Sequence, residues 1–156
     1  MDGIDRAILR QLQRNGRIPN NELADAVGLS PSPCLRRVRN LESSGVITGY
    51  TAVLDRESVD CNYEPMVWVT LESVTRQSML EFEAAIDNVP EIVEAARMMG
   101  QPDYLLRVVV ADAAAFEELY MDTLARLPHV QTLTSQLAMK TVKRTIELPV
   151  RSSVEA

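Results

Sequence analysis

Ile4, Ile8 and Leu12 recur at four-residue spacing, with Asp2 and Asp5 at the favourable N-terminal end. They predict an amphipathic helix over about residues 2–14. Asn15-Gly16 ends it, and Pro19-Asn20 opens a short second helix that buries Leu23, Ala24 and Val27. Gly28 closes that helix where a left-handed residue is needed. After Leu29, Ser30-Pro31 starts a third helix as N-cap and first-turn proline. At about 100° per residue from Val38, Cys34, Leu35 and Leu41 fall within about 60° and form the apolar stripe. Ser32, Pro33, Arg36 and Asn40 surround the opposite pole, with Arg37 and Arg39 on its flanks.

The pattern then changes period. Val46–Leu54 is β-rich with Gly49 at a turn position, and predicts a strand leaving the helices. Met66–Val74 alternates, with Val67, Val69 and Leu71 on one face and Met66, Trp68 and Thr70 on the other. Thr75–Val89 has Met79, Phe82 and Ile86 at helical spacing, and Pro90 closes it. Ile92–Met99 reads as a strand, Gly100-Gln101-Pro102-Asp103 as a turn and Tyr104–Ala111 as the returning strand. Asp112 caps a helix through Leu127 that buries Phe116, Leu119, Tyr120 and Leu124; Pro128-His129 breaks it, and Val130–Met139 is the last strand.

The expected fold is therefore α+β. A helix-turn-helix (winged-helix-like) domain over 1–50 is followed by a linker strand and hinge over 51–62. A ferredoxin-like βαββαβ domain with a four-stranded antiparallel sheet then spans 63–145, with a tail over 146–156. Two helices cover only one sheet face. The other is expected to carry Met66, Trp68, Thr70, Leu105, Arg107, Val109, Thr132, Thr134 and Gln136, a patch larger than a soluble monomer usually exposes. A face-to-face homodimer is the economical remedy.

Charge sharpens this picture. The 156 residues carry a net charge of −6, which by itself argues against nucleic acid. Residues 1–50, however, hold seven arginines against five acids, a net of +2, and the rest hold nine bases against 17 acids, a net of −8. A short helix, a glycine turn and a longer capped helix make a helix-turn-helix, whose second helix enters the major groove of double-stranded DNA. The expected DNA-binding residues are Ser30, Ser32, Pro33, Arg36, Arg37, Arg39 and Asn40, with base readers central and phosphate clamps at Arg37 and Arg39. The competing reading is a solvated arginine-rich surface, or a module whose helices bind protein.

Little else carries chemistry. The single histidine, His129, reads as a turn residue, and Cys34 as a packing residue on the stripe. Neither Cys34 nor Cys61 has a partner at metal spacing, and no phosphate-binding glycine loop occurs. An enzyme, a metal site and a cofactor are not expected. No apolar run approaches the roughly 18 residues of a membrane span, and the N-terminus lacks the pattern of a signal peptide, so the expected compartment is the cytoplasm.

Taken in order, Ile4–Leu9, Asn15-Gly16-Arg17, Glu22-Leu23-Ala24, Gly28–Val38, Leu41-Glu42, Gly45–Tyr50, Gly100–Leu106 and Leu127–Val130 resemble the Lrp/AsnC family of bacterial and archaeal transcription regulators. The resemblance covers essentially the whole chain. It implies a DNA-binding helix-turn-helix joined by a linker strand to an α/β domain that binds a free amino acid. It also implies a homodimer that assembles further, to tetramers or octamers. His129 departs from it, standing where the family commonly has glycine. On the residues alone, a hairpin turn explains Gly100–Asp103 unaided; the resemblance makes it an effector loop. Gly100 then admits a ligand close to the backbone and Asp103 accepts from its ammonium. Met99, Gln101, Tyr104, Thr134 and Gln136 complete the expected effector site. Leu105 and Met99 favour an aliphatic or small amino acid, and Gln101 also permits a polar one. The alternative is an architectural DNA-binding protein with no effector.

Overall fold

A computed structural model describes residues 1–151 of the chain. It forms two compact units, one of Met1–Val53 with residues 143–151, the other of Leu54–Val142.

The first unit is built on α1 (Gly3–Arg14), α2 (Asn20–Ala26) and α3 (Pro31–Ser43). Asp2 and Asp5 form a reciprocal capping box that satisfies two N-terminal amides of α1. Gly28 adopts φ 70°, and the Leu29 N–H returns to the Ala24 carbonyl at 2.9 Å, ending α2 as its sequence predicts. Ser30 occupies the N-cap of α3, but its side chain makes no capping bond. Ile8, Leu23, Ala24, Cys34 and Leu41 make the core. Leu35, expected on the buried stripe, is instead 39% exposed. A core of three short helices buries only a narrow arc of α3, and Leu35 lies at its edge.

Val46–Leu54 forms no strand among the described residues. A strand needs a neighbouring edge, and this helical unit supplies none. The segment is instead tied by the Ile47 N–H to the Leu41 carbonyl at 3.0 Å and by the Tyr50 hydroxyl to Glu42 at 2.9 Å. The described part of the expected tail, residues 146–151, belongs to this unit. The Gln13 side chain donates to the Leu148 carbonyl at 3.1 Å and accepts its N–H at 2.6 Å, imitating one rung of a ladder. Residues 152–156 of the expected tail lie outside the described residues.

The second unit has the predicted βαββαβ order: β1 (Pro65–Leu71), α4 (Arg76–Ile86), β2 (Ile92–Arg97), β3 (Tyr104–Val108), α5 (Ala113–Asp122) and β4 (Val130–Leu137). The antiparallel sheet runs β2-β3-β1-β4. Val67, Val69, Leu71, Phe82, Tyr104, Leu106 and Val108 form its core against the helices. Several elements are shorter than periodicity suggests. Thr75 and Ser78 exchange a capping box at the start of α4, and Asp112 caps α5, which gives way to a 3-10 turn over Leu124–Arg126. His129 adopts φ 61°, a left-handed conformation that glycine takes without strain, and its ring lies 2.6 Å from Glu81.

The register sets the open face. Met66 sits between Arg107 and Gln136, Trp68 between Leu105 and Thr134, and Thr70 beside Thr132. Val109 is the exception. Its N–H donates to the Glu91 carbonyl at 2.8 Å beyond the end of β3.

Candidate functional site

On α3, Ser32, Arg36, Arg39 and Asn40 are exposed on the side away from the core, with Ser30 exposed before the helix and Pro33 half-buried. These positions form the polar face the helical angles predict. Arg37, expected as a phosphate clamp, is paired within the unit. Its Nη1 donates to Asp2 and Asp5, each at 2.7 Å, so the side chain turns toward the N-terminus of α1.

The residues expected to bind the effector fall in three places rather than one. Met99 and Gln101 are exposed at the hairpin between β2 and β3, where Gly100 adopts φ 102°. The hairpin is closed by the Met98 N–H donating to the Asp103 carbonyl at 2.7 Å. Among the described residues, no backbone bond engages the N–H groups of Met99, Gly100 or Gln101. Asp103 itself is buried. Its N–H donates to the Val69 carbonyl, and its Oδ2 accepts the Leu71 N–H, both at 2.8 Å. It therefore fastens the hairpin to β1, a use of the carboxylate that sequence reasoning missed.

Tyr104 points to the helices, not to the open face. Its ring packs 4.7 Å from Phe82, and its hydroxyl donates to Glu83 at 2.8 Å. Thr134 and Gln136 do lie on the open face, where Gln136 accepts from the Trp68 indole at 3.1 Å. Gln136 meets β1 at Met66, whereas the hairpin meets it at Val69 and Leu71. At about 3.3 Å per residue, Gln136 is roughly 10–16 Å along β1 from those contacts, whereas Thr134, opposite Trp68, is one residue from Val69. Gln136 and the hairpin therefore do not meet along β1.

Two charged groupings escaped the sequence reading. Glu64 lies between Arg56 at 2.6 Å and Arg107 at 2.9 Å, and Arg107 also reaches Glu94 at 2.9 Å across the β2–β3 pair. The alternation of β2 and β3 carried a signal for the last contact; nothing local pointed to Glu64. Glu83 accepts from both Arg97 and Tyr104. The Arg97 guanidinium, and after it the Tyr104 hydroxyl, hold the Glu83 carboxyl below its usual value of 4.5. A depressed carboxyl contributes stability that is present above 4.5 and lost as pH falls through the folded-state value. Urea midpoints of the second unit should therefore drop below about pH 4.5, and Glu83→Gln should flatten that drop. An unaltered pH profile in the variant would remove the pair from this account.

Among the described residues, no group of His, Cys, Asp and Glu side chains could hold a metal ion, and no helix is long and apolar enough to cross a membrane.

Known proteins bring the two units together. Residues 1–48 match the winged helix-turn-helix DNA-binding family model, and residues 64–148 match the Lrp/AsnC ligand binding domain. The chain belongs to the Lrp/AsnC family. It is a DNA-binding transcription regulator of that type, with its DNA-binding and ligand-binding domains in the order the resemblance implies. A leucine-responsive regulatory protein of Salmonella typhimurium is 41% identical over 97% of this chain and 93% of its own. An AsnC family regulator from Agrobacterium tumefaciens has 39% identity and a TM-score of 0.90, covering 96% of this chain and 97% of that one. A transcriptional regulator from Neisseria meningitidis, solved in complex with L-Met, has 37% identity and a TM-score of 0.91 over the same shares. His129, at the position where the resemblance leads one to expect glycine, has a left-handed backbone.

Proposed function

We propose that this Lrp/AsnC regulator reads duplex DNA through Ser32, Arg36, Arg39 and Asn40, with Ser30 and Pro33 at the head of the same helix. A free amino acid with an apolar side chain, of the methionine or leucine kind, binds at the hairpin 99–103 and shifts the assembly of the protein. The exposed N–H groups of Gly100 and Gln101 are donors for its carboxylate. Assembly starts from a homodimer that covers Met66, Trp68 and Leu105 on the open face. A second copy also supplies a wall for the hairpin site, since Gln136 meets β1 at Met66, away from the hairpin of its own chain. The solved L-Met complex of a relative of near-identical fold supports the ligand class.

The observation that carries this reading is the register of the open face. It aligns Trp68 with Leu105 and Thr134, and Met66 with Arg107 and Gln136, on a side that no helix covers. A ligand shifts assembly only through differential affinity for its states, so binding and packing are reciprocally linked. Sedimentation velocity on the full chain, with and without L-methionine or L-leucine, tests it. We expect a dimer or larger species whose distribution moves with the amino acid, alongside measurable heat in calorimetry. A clean monomer would overturn the covered face. No heat with any of the twenty amino acids would overturn the effector and leave an architectural protein.

A further inference from the structure

Arg37 stands on the flank of α3 where a phosphate contact is expected, yet it is engaged by two carboxylates. Its Nη1 donates to Asp2 Oδ2 and to Asp5 Oδ1, each at 2.7 Å. The other oxygen of each acid is also occupied. Asp2 Oδ1 accepts the Asp5 N–H and Asp5 Oδ2 accepts the Asp2 N–H, both at 2.9 Å. All four carboxylate oxygens are used, in a closed arrangement that joins the first turn of α1 to the middle of α3. The Asp5 side chain is 16% exposed and that of Arg37 30%, so the contact is partly withdrawn from water. By contrast, Arg36 and Arg39 make no ion pair among the described residues and are exposed.

We propose that Arg37 is a positioning residue: it holds the DNA-reading helix α3 against α1 and does not contact the phosphates. This inference rests on the proposed reading of α3 as the element that meets DNA. Coulombic arithmetic favours it. Moving the guanidinium to a phosphate would exchange two charge-assisted bonds for one site on DNA. It would also leave Asp2 and Asp5 facing each other, with no cation between them, beside an approaching polyanion. Held in place, Arg37 sets how α3 sits against α1, and with it the direction in which Arg36, Arg39 and Asn40 face.

The test uses the full chain and a duplex selected by the wild type from a random pool, with affinity measured by fluorescence anisotropy over a series of salt concentrations. A lost phosphate contact lowers the slope of log affinity against log salt by about 0.9. Arg39→Ala is expected to show that loss. Arg37→Ala is expected to weaken binding about tenfold with the wild-type slope kept, since the slope counts phosphate contacts and none is lost. Asp5→Asn, which retains an oxygen for the cap, should weaken binding in the same direction, and it carries the test alone if Arg37→Ala does not fold. The double variant should be no weaker than the worse single. A lowered slope in Arg37→Ala, tighter binding by Asp5→Asn or unchanged affinity in both would overturn the inference while the reading of α3 stands. A wild type that selects no duplex would overturn both.

Discussion

Tyr104→Ala should cost the second unit about 3–5 kcal/mol, the range for removing a large buried aromatic side chain. The ring is almost fully enclosed, between the sheet and α4, and packs 4.7 Å from Phe82. Its removal opens a cavity that neighbouring strands cannot collapse to fill, because β3 is paired on both sides. Tyr104→Phe keeps the ring and removes only the hydroxyl bond to Glu83, at about 1 kcal/mol, since Arg97 still pairs with that carboxylate. The single tryptophan, Trp68, lies on β1, so its fluorescence in urea reports this unit alone. At a slope of about 2 kcal/mol per M, the alanine variant should unfold roughly 2 M earlier. An unchanged midpoint would place the ring outside the core. Tyr104→Phe should also retain the heat of amino-acid binding; losing it would put the hydroxyl on the ligand.

Asp103→Ala is the second large effect, at about 1–3 kcal/mol. The substitution strands the Leu71 N–H, which donates to the Asp103 carboxylate at 2.8 Å inside the sheet. Asp103→Asn retains an oxygen at that place and should recover most of the loss in urea unfolding. The pair separates two roles that the carboxylate could combine. A variant Asp103→Asn that folds like the wild type but gives no heat with any amino acid would assign the negative charge to the ammonium of the ligand. Full heat in that variant would leave Asp103 as a fastening alone.

The helices and strands were legible because each announces itself locally. Ile4, Ile8 and Leu12 repeat with the turn of a helix, Val67, Val69 and Leu71 with the pleat of a strand, and Gly28 marks a left-handed end that φ 70° bears out. The same arithmetic placed Ser32, Arg36, Arg39 and Asn40 on the outer side of α3 and Trp68 on the open face. It erred where an outcome depends on a neighbour. Leu35 satisfies the stripe, but its burial depends on how far α1 and α2 reach around α3. Val46–Leu54 has the composition of a strand, but a ladder needs an edge to join.

The sequence by itself determined which residues share a face, because a helix or strand imposes its own period whatever surrounds it. Only the tertiary structure decided which groups from different elements meet. Arg37 finds Asp2 and Asp5 from 35 and 32 positions away, Asp103 finds Leu71 from 32, and Gln13 finds Leu148 from 135. Periodicity gives the direction in which a side chain leaves its own backbone. The identity of its partner follows from how helices pack and strands align, which no local spacing encodes.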